Sequence, residues 1–187
     1  MLASALALFA YSALDVSFSN WLPAFGKEIL TESMRDTAAD AMDAPAQRLI
    51  SVYAVTIMIG RLLASQMPKL KEYGAWYVAA PAVVAAGLVM WMTVACRAAV
   101  AWSLVGLIGL FTAPFFPIIV ATTFAKFSAE VQGTVFGIIF AGALLGGATV
   151  PKAIGNLARG SSIHKSMALL APLCIVVAAV VLILEKL

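Results

Sequence analysis

Asp15 is the residue whose type and position most demand an explanation. It stands inside an otherwise charge-free N-terminal run, well before the run's polar end. A carboxylate near the centre of a bilayer costs about 2.5–3.5 kcal/mol on insertion scales, enough to require a partner or a water-filled cavity. Ser12 and Ser19 fall at i−3 and i+4 of Asp15 and share one helical face with it. Asn20 and Trp21 follow one step round. This polar stripe has two readings. Either Asp15 bonds a neighbouring helix, or it faces a pore as a substrate-contacting or proton-coupling group. In the second case Ser12, Ser19 and Asn20 supply hydrogen bonds to a hydroxylated solute and Trp21 a stacking surface. Trp21 also suits the aromatic belt at a span end.

The composition says what must position these residues. Of 187 residues, 63% are hydrophobic and 11% charged, and the mean hydropathy is +1.01. Soluble domains run at about 45–50% apolar and about 25% charged. A soluble core of this size cannot hide that excess, so the apolar residues belong in lipid. A net charge of +3 with no basic stripe argues against nucleic acid as a partner. The two cysteines, Cys96 and Cys174, lie inside apolar runs and exclude a disulfide scaffold.

A spanning helix needs about 20 mostly apolar residues. Charge-free runs at Tyr73–Cys96, Ala98–Ala125, Val131–Pro151 and Ser166–Leu184 qualify. Two more run from the N-terminus to Gly26, interrupted by Asp15, and over about Leu49–Met67, interrupted by Arg61. The expected fold class is therefore an all-α integral membrane domain of six spans over residues 1–187, with Lys27–Arg48 as a polar extramembrane loop. Met1–Ala10 lacks a basic residue ahead of its apolar stretch and continues past it, so it reads as a membrane helix and not a signal peptide. Basic residues split nearly evenly between the two sides and fix no orientation.

The fifth span carries Gly133, Gly137, Gly142, Gly146 and Gly147 in small-xxx-small spacing, which suits close helix approach. That approach is either static packing or a seam along which helices rock. The fourth span contains Pro114 and Pro117. Each removes a backbone donor, which predicts a bend, either in a cavity-lining helix or as a packing kink. Arg61 and Lys152 are placed to snorkel to the interface, while Trp76, Trp91 and Trp102 fall near span ends. His164 is the only histidine and sits in a loop without a partner ligand, so no metal site is expected. Neither G-x-S-x-G nor H-E-x-x-H nor a P-loop occurs, so the chain is not expected to be an enzyme, and no cofactor is expected.

Four stretches resemble the C-terminal six-helix half of a major facilitator superfamily transporter, nearest to the fucose-permease-like branch of sugar:proton symporters. They are Tyr11-Ser-Ala-Leu-Asp15-Val-Ser-Phe-Ser-Asn20-Trp21, Ser51-Val-Tyr53 leading to Gly60-Arg61-Leu62-Leu63, Gly109-Leu-Phe-Thr-Ala-Pro114-Phe-Phe-Pro117, and Gly142-Ala-Leu-Leu-Gly146-Gly147-Ala-Thr-Val-Pro151 to Gly155. The resemblance implies two inverted three-helix repeats, with spans one, two, four and five around a concave face and spans three and six outward. It implies substrate or proton roles for Asp15, Ser12, Ser19, Asn20, Trp21, Tyr53 and Phe115. It gives Gly60, Arg61, Pro114, Pro117, Gly142 and Gly146 to gating or packing. It places both termini in the cytoplasm, Lys27–Arg48 outside and Gly60–Gly74 inside, in the plasma (inner) membrane. That inner loop keeps Lys69 and Lys71 but lacks the superfamily's Asp-Arg pair.

The expected function is half of a secondary active transporter, moving a small polar solute, a sugar among the candidates and with proton coupling open. A single half does not enclose a site, so the expected partners are the solute, the lipid bilayer and a second six-helix half. That half is encoded in the same gene, is a split partner, or is a second copy. The alternatives are a membrane-embedded substrate-binding subunit of an ATPase-driven transporter and a half kept for scaffolding.

Overall fold

In a bilayer every backbone N–H and C=O must be satisfied within the chain, which leaves helices for these apolar runs. The computed structural model describes residues 1–33, 43–66, 74–94 and 97–186. All regular structure among the described residues is helical. The order is α1 (Leu2–Ser33), α2 (Asp43–Ser65), α3 (Trp76–Met92), α4 (Ala98–Thr112), α5 (Phe115–Phe124), α6 (Gln132–Ala158), the short α7 (Ile163–Ser166), a 3-10 turn at Met167–Leu169, and α8 (Leu170–Lys186).

Five stretches are long and apolar enough to cross a membrane: Leu2–Thr31, Ala44–Ser65, Ala98–Phe124, Gln132–Ala158 and Ile163–Lys186. The α3 helix is apolar but has 17 residues. At 1.5 Å per residue it is about 26 Å long, slightly short of a hydrocarbon core of about 30 Å. The run expected for it began at Tyr73 and ended at Cys96, both outside the described residues. The Lys69–Lys71 loop also lies outside them, as do residues 34–42 of the polar segment. The ends of that segment are helical: α1 continues to Ser33, and α2 begins at Asp43. Lys, Glu, Ile and Leu at 27–30 are acceptable helix residues, so polarity there does not stop the helix.

The α1 helix is the hub. One face packs Leu14, Phe18, Leu22 and Phe25 into a continuous core with Ala82, Ala85 and Val89 of α3 and Cys174, Val177 and Val181 of α8. Ala79, Ala82, Ala85 and Ala86 of α3 are therefore buried, while Val83, Val84, Met90 and Trp91 on its other face are exposed. The least enclosed of these stretches are Ala44–Ser65 and Gln132–Ala158, with 17% and 22% of their apolar windows buried against 50% or more for the other three.

Glycines set the closest helix pairs. A Cβ at Gly142 would lie 3.0 Å from the Ala5 carbonyl oxygen, and one at Gly146 would collide with the Phe9 carbonyl oxygen. Further along, a Cβ at Gly155 would lie 2.8 Å from the Trp21 ring. The pairs rise together, so α1 and α6 run parallel. Gly137 does not join this seam: its Cβ position has nothing within 4 Å, because it sits on the opposite side of α6. On α2, a Cβ at Gly60 would lie 2.5 Å from Ala113 Cβ and 2.8 Å from the Leu110 carbonyl oxygen, while Gly109 lies against Tyr53. Hence α2 and α4 are also parallel. In contrast, α1 and α2 are antiparallel, since Gly26 meets Ala46 and Leu49 while Tyr11 meets Arg61.

The fourth span is interrupted at Ala113–Pro114, between α4 and α5. Pro114 has no N–H for the Leu110 carbonyl, and Pro117 has none for that of Ala113. Gly60 is the residue that approaches the Leu110 carbonyl so deprived. At the far end Lys126 donates through Nζ to the Leu184 carbonyl of α8, and Gln132 Nε2 donates to the Phe124 and Phe127 carbonyls at 3.2 Å. Overpacking a tight seam costs about 1–3 kcal/mol. Gly146→Leu should therefore destabilise the protein by about that amount in a detergent thermal-unfolding measurement. Gly137→Leu, carrying the same side chain into open space, should be neutral or slightly stabilising because leucine is the better helix former.

Candidate functional site

Two residues from each of α1 and α2 build the site. Asp15 lies near the middle of the apolar stretch Leu2–Thr31. Its Oδ1 accepts a hydrogen bond from the Tyr53 hydroxyl at 3.2 Å. Tyr53 is buried, with its ring centroid 5.3 Å from that of Phe18. One helical turn before Asp15, the Tyr11 hydroxyl accepts from Arg61 Nη2 at 3.2 Å. The antiparallel packing dictates these pairings. Four residues on α1 rise about 6 Å and eight on α2 about 12 Å, so the Arg61 side chain leans back along α2 to reach Tyr11. Side chains on a helix tilt toward its N-terminus, which is the required direction.

Tyr53 is buried and contributes only through its bond to Asp15, whereas Tyr11, Asp15 and Arg61 open on a cavity of about 340 Å3. Its polar wall is Tyr11, Ser12, Asp15 and Arg61; its apolar wall is Leu8, Phe116, Phe140, Ala143 and Leu144. The lining thus comes from α1, α2, α5 and α6, with none from α3 or α8. A second cavity of about 350 Å3 shares Arg61 and Phe116 and includes Pro117, Ala64 and Ser65. Arg61 therefore stands between two open volumes.

The structure separates the remaining expected residues. Ser12 lines the cavity; Ser19 and Asn20 are exposed further along α1 and do not. Trp21 is docked on α6: its Nε1 donates to the Pro151 carbonyl at 2.9 Å, and its ring lies over Gly155. Phe115 is fully buried, edge-on to Tyr11 at 6.3 Å, and its neighbour Phe116 reaches the cavity instead. Gly60 packs on Leu110 and Ala113 at the α2–α4 contact, Pro114 caps the start of α5, Pro117 lines the second cavity, and Gly142 and Gly146 hold α6 to α1. Tyr11, Phe116 and Phe140 belong to the lining without having been expected there. For Tyr11 a signal exists, since it precedes Asp15 by four residues and so shares its face.

A polar seam leaves the cavity in one direction. From Phe140 and Leu144, steps of four along α6 reach Ala148, Lys152 and Asn156, all three exposed. On the parallel α1, Ser19 and Asn20 are likewise exposed, just before Trp21, which packs on Pro151 and Gly155 of this stretch. The seam ends where Glu28 accepts the His164 backbone N–H at 3.2 Å, next to a wide cavity lined by Lys27, Thr31, Ser161 and Ser162.

Several long apolar helices with charged groups gathered inside them define a multi-pass membrane protein. No protein-family model, curated protein or solved structure matches the chain.

Losing a hydrogen bond while keeping the ring costs about 0.5–1.5 kcal/mol. Trp21→Phe should lower stability by that amount, through the Pro151 carbonyl left without its side-chain donor. Asn20→Ala, an exposed neighbour, should stay within about 0.5 kcal/mol of the parent in the same unfolding measurement.

Proposed function

We propose that the chain is half of a secondary active transporter that moves a small polar solute across the membrane by alternating access. The observation that carries this reading is that Asp15, bonded by the buried Tyr53, and Arg61, bonded to Tyr11, line one cavity within the apolar helices. A buried anchor has no use for an acid and a guanidinium in one intramembrane cavity, because each is costly there. Groups that must meet a polar cargo justify that cost.

The helix directions support the finer architecture. Parallel α1 and α6, and parallel α2 and α4, require the chain to turn back between them, and α3 is the described segment available for the return between α2 and α4. Trp76 and Trp91, exposed at its two ends, suit the two interfaces of a bilayer. Six crossings as two inverted three-helix units follow from this reading, with both termini on one side, taken as the cytoplasmic face of the plasma membrane. The open side of the cavity and the seam through Lys152 and Asn156 fit a wetted face rather than lipid. A second six-helix unit, in the same gene, from a split partner or from a second copy, completes the enclosure.

The test is uptake into proteoliposomes of the purified protein with its native assembly intact, using a panel of radiolabelled sugars and amino acids. Asp15→Asn preserves shape and removes the ionisable group, and it should abolish uphill accumulation by at least tenfold. Loss of accumulation with exchange retained assigns Asp15 to proton coupling; loss of binding assigns it to solute contact. Wild-type uptake with unchanged pH dependence overturns the reading. Leu182→Ala, away from the cavity, is the control.

A further inference from the structure

We infer that the cavity between α1, α2, α5 and α6 takes a small zwitterion, with its ammonium group on Asp15 and its carboxylate on Arg61. This deepens the transporter reading and rests on it. The argument begins from the pairing of charges. Asp15 and Arg61 line one cavity, yet each bonds a tyrosine hydroxyl rather than the other charged group. Asp15 Oδ1 holds one hydrogen bond from Tyr53, and a carboxylate accepts about four. Arg61 Nη2 holds one bond to Tyr11, and a guanidinium has five N–H donors in a planar fork that matches a carboxylate.

Closure over a solute removes water from both groups. A neutral polyol would offer only weak compensation to two desolvated charges. A simple anion or cation would satisfy one and leave the other buried and unpaired, the costliest arrangement. A solute carrying both poles compensates both through charge-assisted hydrogen bonds. The size agrees, because about 340 Å3 is at the small end of ligand pockets, which run about 300–1,000 Å3. The remaining wall of Leu8, Phe116, Phe140 and Leu144 favours an aliphatic or aromatic side chain on the solute. An apolar α-amino acid has all three features.

The experiment is equilibrium binding of radiolabelled leucine to the purified protein in lipid nanodiscs with its native assembly intact, with unlabelled leucinamide, N-acetylleucine and galactose as competitors. Leucinamide lacks the anionic pole and N-acetylleucine the cationic one. Each should compete about tenfold or more weakly than leucine, since each forfeits a charge-assisted contact. The variants should cross over. In Asp15→Asn the gap between leucine and N-acetylleucine should close; in Arg61→Gln the gap between leucine and leucinamide should close. If either variant fails to fold, competition on the parent protein still reads both poles. Galactose binding that is lost in Asp15→Asn, with leucine inert, overturns the zwitterion and leaves the solute site standing. Absence of binding by leucine and galactose alike, or binding indifferent to both substitutions, overturns the zwitterion and the solute site together.

Discussion

A carboxylate halfway along a membrane helix must be compensated, and the rest of the structure is arranged around that requirement. Asp15 obtains its compensation from the adjacent antiparallel helix, through Tyr53. The same antiparallel contact delivers Arg61 to Tyr11. Both tyrosines need support to hold their hydroxyls in place. Tyr53 has Phe18 beside it, and Tyr11 has Phe115 and Phe116, at 6.3 and 5.9 Å. The charged site is thus braced by aromatic rings on α1 and α5, and its position depends on how closely α2 meets α4.

That closeness comes from glycine. Gly60 and Gly109 let α2 and the fourth span touch backbone to backbone, and Gly142 and Gly146 do the same for α6 on α1. In lipid, apolar side chains gain little by leaving one apolar surface for another, so close van der Waals contact carries more of the association. The two glycine seams flank the cavity. Removing the side chains that would separate these helices is what leaves room for a cavity bounded by backbone-tight walls.

Much of this was legible in the residues. The apolar runs announce the spans, and Asp15 with Ser12 at i−3 announces a polar face. The finer placement was not legible, for local reasons. The interruption at Ala113–Pro114 resets the helical phase, so Phe115 turns inward and Phe116 turns to the cavity. Trp21 looks equally apt for a ligand, an interface or a packing contact, and only the Pro151 carbonyl and the bare Gly155 opposite decide for packing. Gly137 and Gly146 belong to one spacing pattern, yet they point to different sides because the pattern is broader than the seam. The pairing of Tyr11 with Arg61 joins residues 50 apart in sequence, and no local periodicity reports it.

The parallel run of α1 and α6 aligns two helix dipoles instead of cancelling them. Each long helix carries about half a unit of negative charge at its C-terminal end. Side by side and codirectional, the two place their negative ends on one surface of the bundle and their positive ends on the other. The flanking residues of α6 answer that field: Glu130 precedes the helix and Arg159 caps its end, with Lys165 close behind. The exposed Lys152 and Asn156 on α6 therefore lie along an electrostatic gradient set by the backbone, and a charge placed beside them feels the direction of these two helices as well as the neighbouring side chains.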